Sequence, residues 1–224
     1  MGWTQVQPEL VLSNRLNGFA ACVLGCLCSF FVWRQYCTIT LQQRQLEKAN
    51  TELGQKQRDL ERLTRQDGLT GLFNRNTFVE LTRQELQRAQ RQHHATTILL
   101  LDLDHFKKVN DTWGHPAGDA VLRHVASLTQ RTVRSTDLVG RLGGEEFIIL
   151  LPATSVDAAR RLAEKLRSQI EASQVEWEGT SIRVTVSMGL AGVPADEKRD
   201  FESLYTDADK ALYLAKQRGR NCVV

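Results

Sequence analysis

The sequence predicts an α/β (α+β) domain with βαββαβ element order, preceded by a transmembrane helix and a coiled-coil helix. Three observations carry that prediction. Residues 16–33 form an uncharged, largely apolar run that ends in Phe30, Phe31 and Trp33. Ile39, Leu46, Leu53 and Leu60 then recur every seven residues. From Asp67 onward, apolar runs suited to strands alternate with stretches suited to helices, and one pair of strands is separated only by a turn at Gly143-Gly144. The boundaries that follow are a short segment at 1–15, a membrane helix at 16–36, a coiled-coil helix at 37–66 and a folded domain at 67–224.

Composition narrows the function classes. A chain of 224 residues with 42% hydrophobic residues has room for one packed domain and an extra segment. Its net charge of +3 is small and its basic residues are spread along the chain, which argues against a nucleic-acid partner. Cys22, Cys26, Cys28 and Cys37 lie in or beside the apolar run and Cys222 is near the C-terminus, so neither a disulfide framework nor a metal spacing emerges. They read as small apolar residues in a reducing or lipid setting.

The run at 16–33 is long enough to span a bilayer. Arg15 precedes it, whereas Arg34, Arg44 and Lys48 follow closely, so the positive-inside rule puts the C-terminal side in the cytoplasm. The expected location is a bacterial inner (cytoplasmic) membrane, crossed once. A cleaved signal peptide is the competing reading, but no clear small-residue cleavage site follows the run. In the next segment Gln42, Ala49, Lys56 and Leu63 fall at the companion heptad positions, giving a parallel coiled coil with a weak seam. Polar Gln42 and Lys56 in that seam cost stability and help fix register. A solvated helical linker is the alternative, favoured by Gly54 and by the many Gln and Arg residues.

The domain elements follow in order. A helix is expected over 76–92, then a strand over 96–104 that ends in acids, as a buried strand delivering carboxylates at its tip would. A helix over 119–134, the hairpin around Gly143-Gly144, a helix over 156–173, a strand over 181–193 and a helix over 201–218 complete the order.

Four motifs carry a family resemblance. Gly143, Gly144, Glu145, Glu146 and Phe147 resemble the signature of the GGDEF family, the diguanylate cyclases, in its GGEEF form. Asp67-Gly-Leu-Thr-Gly-Leu-Phe-Asn-Arg75 resembles the family's DxLTxLxNR opening. Residues 102–119 match its DxDxFKxxND…GHxxGD pattern at unbroken spacing, and residues 215–221 match its AKxxGRN run. The resemblance implies the palm-like fold of nucleotide cyclases and condensation of two GTP into cyclic di-GMP by a homodimer.

Within that frame Asp102, at the end of its strand, faces the hairpin carrying Glu145, and the two acids hold Mg²⁺, with Mn²⁺ as an alternative. The resemblance adds the Leu103 carbonyl as a metal ligand. Asp104 shares the strand face of Asp102 and is expected to be structural. Glu145 also assists deprotonation of the attacking hydroxyl; Glu146, which points the other way along a regular strand, is counted with it, and Lys107 stabilises transition-state charge. Asn110 and Asp119 suit the donor and acceptor edge of guanine, which favours GTP over ATP. His115 lies between them, with substrate contact and a capping or packing role both open. Phe106, Gly143 and Gly144 complete the expected substrate set, and Lys216 and Arg220 match the family's phosphate binders.

Arg134 and Asp137 stand where many members carry an RxxD site for inhibition by the product, and Lys165 replaces an assisting arginine. Lysine cannot reproduce a bidentate fork there. The runner-up reading is a silent receptor that binds cyclic di-GMP without making it. Only about fifteen residues precede the membrane run, too few for an extracytoplasmic sensor.

Overall fold

The computed structural model describes residues 24–25, 28–36, 39–40, 42–48, 50 and 65–224. The chain divides into two compact units, Met1–Glu61 and Arg62–Val224. In the first, residues 28–36 and 42–48 are helical. Ile39 and Leu46, seven apart, are 53% and 64% exposed, as are the large apolar side chains of Phe30, Phe31 and Trp33 to similar degrees. No helix among the described residues is long and apolar enough to cross a membrane. Much of the predicted span at 16–36, and Ala49, Leu53, Lys56, Leu60 and Leu63 of the predicted seam, lie outside the described residues.

The second unit runs β1 (Phe73–Asn74), α1 (Arg75–Gln92), β2 (Thr96–Leu103), α2 (Phe106–Trp113), α3 (His115–Thr132), β3 (Leu138–Gly143), β4 (Glu146–Leu151), α4 (Val156–Ala172), β5 (Val175–Trp177), β6 (Thr180–Ile182), β7 (Val186–Val193) and α5 (Phe201–Gln217). Its main sheet has the order β1-β3-β4-β2-β7. Pairs β2–β4, β2–β7 and β3–β4 are antiparallel. Stripped of β1 and the β5–β6 hairpin, this is the predicted βαββαβ arrangement.

Every residue of β2 is buried. Leu99, Leu101 and Leu103 pack with Phe147, Ile149, Val121 and Leu166 on the face covered by α2, α3 and α4. Ile98 and Leu100 pack with Ile148, Leu150, Phe78 and Leu204 on the face covered by α1 and α5. Two covered faces explain why β2 and β4 read as continuous apolar runs rather than alternating ones. Three of the helices, α1, α4 and α5, start on side-chain caps: Asn74 accepts from Thr77 N–H, Ser155 from Ala158 N–H and Asp200 from Ser203 N–H.

The structure departs from the expected order in three places. The helix expected over 119–134 is present as α3, starting earlier at His115 with Pro in its first turn, and an unpredicted helix, α2, precedes it from Phe106 until Gly114, at φ 80°, ends it. Phe106 and Val109, three apart, anchor the short α2 in the core. The strand predicted over 181–193 breaks into β6 and β7, and β6 pairs with β5 through Glu178-Gly179, both at positive φ. Beyond α5, residues 222–224 add a parallel extension on β7, with Met188 N–H donating to Cys222 O and Leu190 N–H to Val224 O.

The contact of α5 with the sheet is backbone against backbone at Gly189. A Cβ there would lie 2.2 Å from both Ala208 O and Leu212 N. Gly189→Ala is therefore expected to destabilise the domain by roughly 1–3 kcal/mol in urea denaturation, since overpacking must displace α5. Gly68→Ala, where a Cβ meets nothing within 4 Å, should leave the midpoint unchanged.

Candidate active site

The acids converge at one end of the sheet. Asp102, 5% exposed, is the penultimate residue of β2 and lies directly opposite Glu146 on β4 and Ser187 on β7. Glu145 sits in the turn between β3 and β4, where a register irregularity follows Arg141, and its carbonyl accepts from Leu103 N–H at 3.4 Å. Lys216, in the last turn of α5, donates from Nζ to Asp102 Oδ2 at 2.8 Å.

Electrostatics follow from that convergence. Burial pushes the Asp102 carboxyl up; the Lys216 ammonium pulls it back, and the Asp104 charge adds to the rise. Burial also raises Glu145, and the charges of Asp102 and Glu146 raise it further against the pull of Lys216. Carboxylates that disfavour one another's ionisation stabilise a cation placed among them. The donor set fits a small hard divalent ion: carboxylate oxygens from Asp102 and Glu145, with the backbone of Leu103 between β2 and the hairpin. Among the described residues no group of three or more His, Cys, Asp or Glu side chains forms a metal cluster. An ion that takes two carboxylates and fills its shell with water and phosphate needs no such cluster.

The hairpin is held from outside the acid cluster. Arg141 donates from Nε and Nη2 to Gly144 O at 3.1 and 2.7 Å, and from Nη1 to both oxygens of Asp67 at 3.1 and 3.3 Å. Asp67 Oδ1 also accepts from the Thr70 amide at 2.9 Å and the Thr70 hydroxyl at 2.6 Å. Gly144, at φ 52°, adopts the left-handed backbone that this turn requires. Neither Asp67 nor Arg141 was expected to act on the site, although an Asp three residues before Thr70 signals an Asx-type turn.

The remaining predicted residues fall into three groups. Phe106 is buried at the start of α2, Lys107 is exposed beside it, and Asn110 is half-buried near the end of that helix. Asn110 lies against Gly118, where a Cβ would come within 2.0 Å of its Oδ1 and 3.1 Å of Phe106 Cζ. The glycine before Asp119 thus makes room for the Asn110 amide. His115 is exposed at the first position of α3. Glu146 and Lys216 line a groove of about 420 Å³ with Asp209 and Tyr213. A separate cavity of about 260 Å³, lined by Leu86, Thr96, Val193 and Phe201, contains no motif residue.

The third group is Arg134, Asp137 and Lys165. Asp137 Oδ2 accepts from Arg134 N–H at 2.8 Å and its own N–H donates to Arg134 O at 3.1 Å, closing a turn that leaves the Arg134 side chain exposed. Lys165 is exposed on α4. Arg220 follows Gly219 in a turn after α5, with φ values of 67° and 105°.

A mostly antiparallel sheet covered by helices, with buried acids and a lysine at one end, defines a mixed α/β domain with an acid cluster at the sheet's end. The chain belongs to the diguanylate cyclase GGDEF-domain family, whose pattern matches residues 64–222. The diguanylate cyclase DgcP of Pseudomonas aeruginosa is 42% identical over 155 residues, 69% of this chain and 23% of DgcP. The chain spans less than half the length of the curated relatives it matches, from 23% to 44%. The coiled coil and GGDEF domain of DgcB from Caulobacter crescentus, solved in complex with c-di-GMP, aligns with a TM-score of 0.67 at 31% identity, covering 81% of this chain and 97% of that one. The active GGEEF domain of a diguanylate cyclase from Vibrio cholerae aligns with a TM-score of 0.62 at 34% identity, covering 67% of this chain and 96% of that one.

The Asp67–Arg141 contact has a pH signature. Burial raises the Asp67 carboxyl, but hydrogen bonds from Thr70 and then Arg141 outweigh it and hold the group below its ordinary 3.8. A depressed carboxyl contributes stability that is present above the ordinary value and lost as pH falls through the lower folded one. Asp67→Asn should therefore lower the thermal midpoint at pH 7, and the gap to wild type should close as the pH is taken below 3.8.

Proposed function

We propose that the chain is a diguanylate cyclase that condenses two GTP into cyclic di-GMP with release of two pyrophosphates, dependent on Mg²⁺ or Mn²⁺ and active as a homodimer. One observation carries the proposal: Asp102 and Glu145 converge, each raised by burial, beside the Lys216 ammonium. That is a site built for a cation and an anionic ligand.

In this reading Asn110 and Asp119 take the guanine edge, with Phe106 and His115 beside them, and Lys216 and Arg220 take the triphosphate. The 3′-hydroxyl oxygen of one GTP attacks the α-phosphorus of the other, and the bond to the bridging oxygen of the β-phosphate breaks to release pyrophosphate. Glu145 accepts the hydroxyl proton, while Lys107 offsets negative charge on the reacting phosphate. The cation, when bound, neutralises phosphate charge and eases loss of the hydroxyl proton. Glu146, on the α5 side of the hairpin, supports Glu145 rather than replacing it.

A domain that holds one GTP needs a second domain facing it. The heptad residues from Ile39 to Leu60 raise the effective concentration of that second half-site. The structure of a coiled coil and GGDEF domain of DgcB supports this organisation by similarity. The apolar run at 16–36 anchors the chain in the cytoplasmic membrane with the cyclase domain in the cytoplasm. Arg134 and Asp137, with Lys165 as a weaker partner, form a site where cyclic di-GMP holds two domains apart and limits its own synthesis.

The purified chain, residues 1–224, incubated with GTP and Mg²⁺ should yield cyclic di-GMP, resolved by chromatography. No product from folded, dimeric protein would leave the silent-receptor reading standing. Glu145→Gln should reduce turnover by about 10²–10⁴-fold while cyclic di-GMP still binds, and Arg134→Ala should abolish the slowing of the reaction as product accumulates. In liposome flotation the full chain should rise with lipid and residues 38–224 should not; identical behaviour of the two would remove the anchor.

A further inference from the structure

Asp104 is a buried carboxylate to which the proposed reaction gives no task. It is 5% exposed, one residue past the end of β2. Its Oδ1 accepts from the Ser187 hydroxyl at 2.7 Å, and its Oδ2 from the Thr185 hydroxyl at 2.8 Å and from the Asn221 amide N–H at 3.0 Å. Its own N–H donates to Thr185 O at 2.9 Å. Both oxygens are thus engaged by neutral donors, and one of those donors belongs to the turn after α5.

That turn is an unusual piece of backbone. Gly219, Arg220 and Asn221 have φ values of 105°, 67° and 46°, so two consecutive non-glycine residues are left-handed. Such conformations persist only where the surroundings over-determine them. Asn221 supplies the determination: besides the bond to Asp104, its side chain accepts from Arg167 Nη1 at 2.9 Å and donates to Glu171 Oε1 at 2.7 Å.

We infer that Asp104 is a positioning residue for the triphosphate, acting through Asn221 to fix the turn that presents Arg220, and that it is not a metal ligand. The inference rests on the reading of Arg220 as a phosphate binder. Two residues upstream on the same strand end is Asp102, so one short segment sets both the carboxylate for the cation and the direction of the arginine. Asn110 and Asp119, read as the guanine-facing residues, lie on α2 and α3, and no hydrogen bond among the described residues ties their side chains to this turn, so base recognition is not expected to pass through Asp104.

The test compares 3′-deoxy-GTP, which lacks the attacking hydroxyl, with GMP, both by calorimetry on the full chain. Asp104→Asn should weaken 3′-deoxy-GTP about tenfold and leave GMP unchanged, so the triphosphate preference falls by that factor. Mn²⁺ binding followed by electron paramagnetic resonance should be unaltered. An equal loss for both nucleotides would make Asp104 merely structural, and a loss of Mn²⁺ would make it a ligand; either overturns the inference. Should Asp104→Asn fail to fold, Thr185→Val removes one donor at similar volume. It should lower the triphosphate preference in the same direction by about threefold, and an unchanged preference would overturn the inference. A wild-type chain without any preference for triphosphate would instead overturn the reading of Arg220, and this inference with it.

Discussion

Because β2 is hydrogen-bonded along both edges and covered on both faces, the position of its last residues is set by the whole core rather than by a loop. Apolar residues at 98–101 and 103 sit in two packed layers, and sliding the strand by one residue would exchange those layers. Asp102 is carried into a place where water is scarce by neighbours that cannot move. Its raised proton affinity is a consequence of the core's packing, and the cations Lys216 and Arg220 offset it in part.

The two sides of the cleft are supported differently. On the hairpin side, a guanidinium spans from a carboxylate to a carbonyl, so a charge-assisted contact at Arg141 substitutes for the hydrogen bonds that a regular turn would supply. On the α5 side, the support is close backbone approach at Gly189 and a buried carboxylate receiving amide and hydroxyl donors. Neither support uses the acids that face the cleft, which leaves Asp102 and Glu145 free of structural duty apart from the Lys216 contact.

Elements with strong apolar patterning were legible in the sequence to within a residue or so: α1, β2, α4 and α5 run as their patterns predict. The helix at Phe106–Trp113 was hidden because only Phe106 and Val109 mark it and the rest is polar. The three-residue strands β5 and β6 are too short for alternation to register, and only Glu178-Gly179 betrays them. In the site, the convergence of Asp102 with the Glu145 hairpin was readable from motif spacing. The partners of Asp104 were not, since Thr185 and Asn221 lie 81 and 117 residues away and strand adjacency cannot be deduced from a strand's own composition. The same limit hid Lys216 on Asp102 and Arg141 on Asp67.

The tie between Asp67 and Arg141 also bears on where the domain begins. The first strand starts at Phe73, yet Gln66 bridges Phe73, Asn74 N–H donates to Arg65 O, and Asp67 N–H donates to Leu72 O. This looped lead-in is part of the scaffold of the Gly143-Gly144 hairpin. A fragment trimmed back to the sheet would keep its core and its signature residues and still lack the carboxylate that steadies the glycine turn. For anyone cutting or fusing this chain, the lead-in from Arg65 to Leu72 belongs with the sheet.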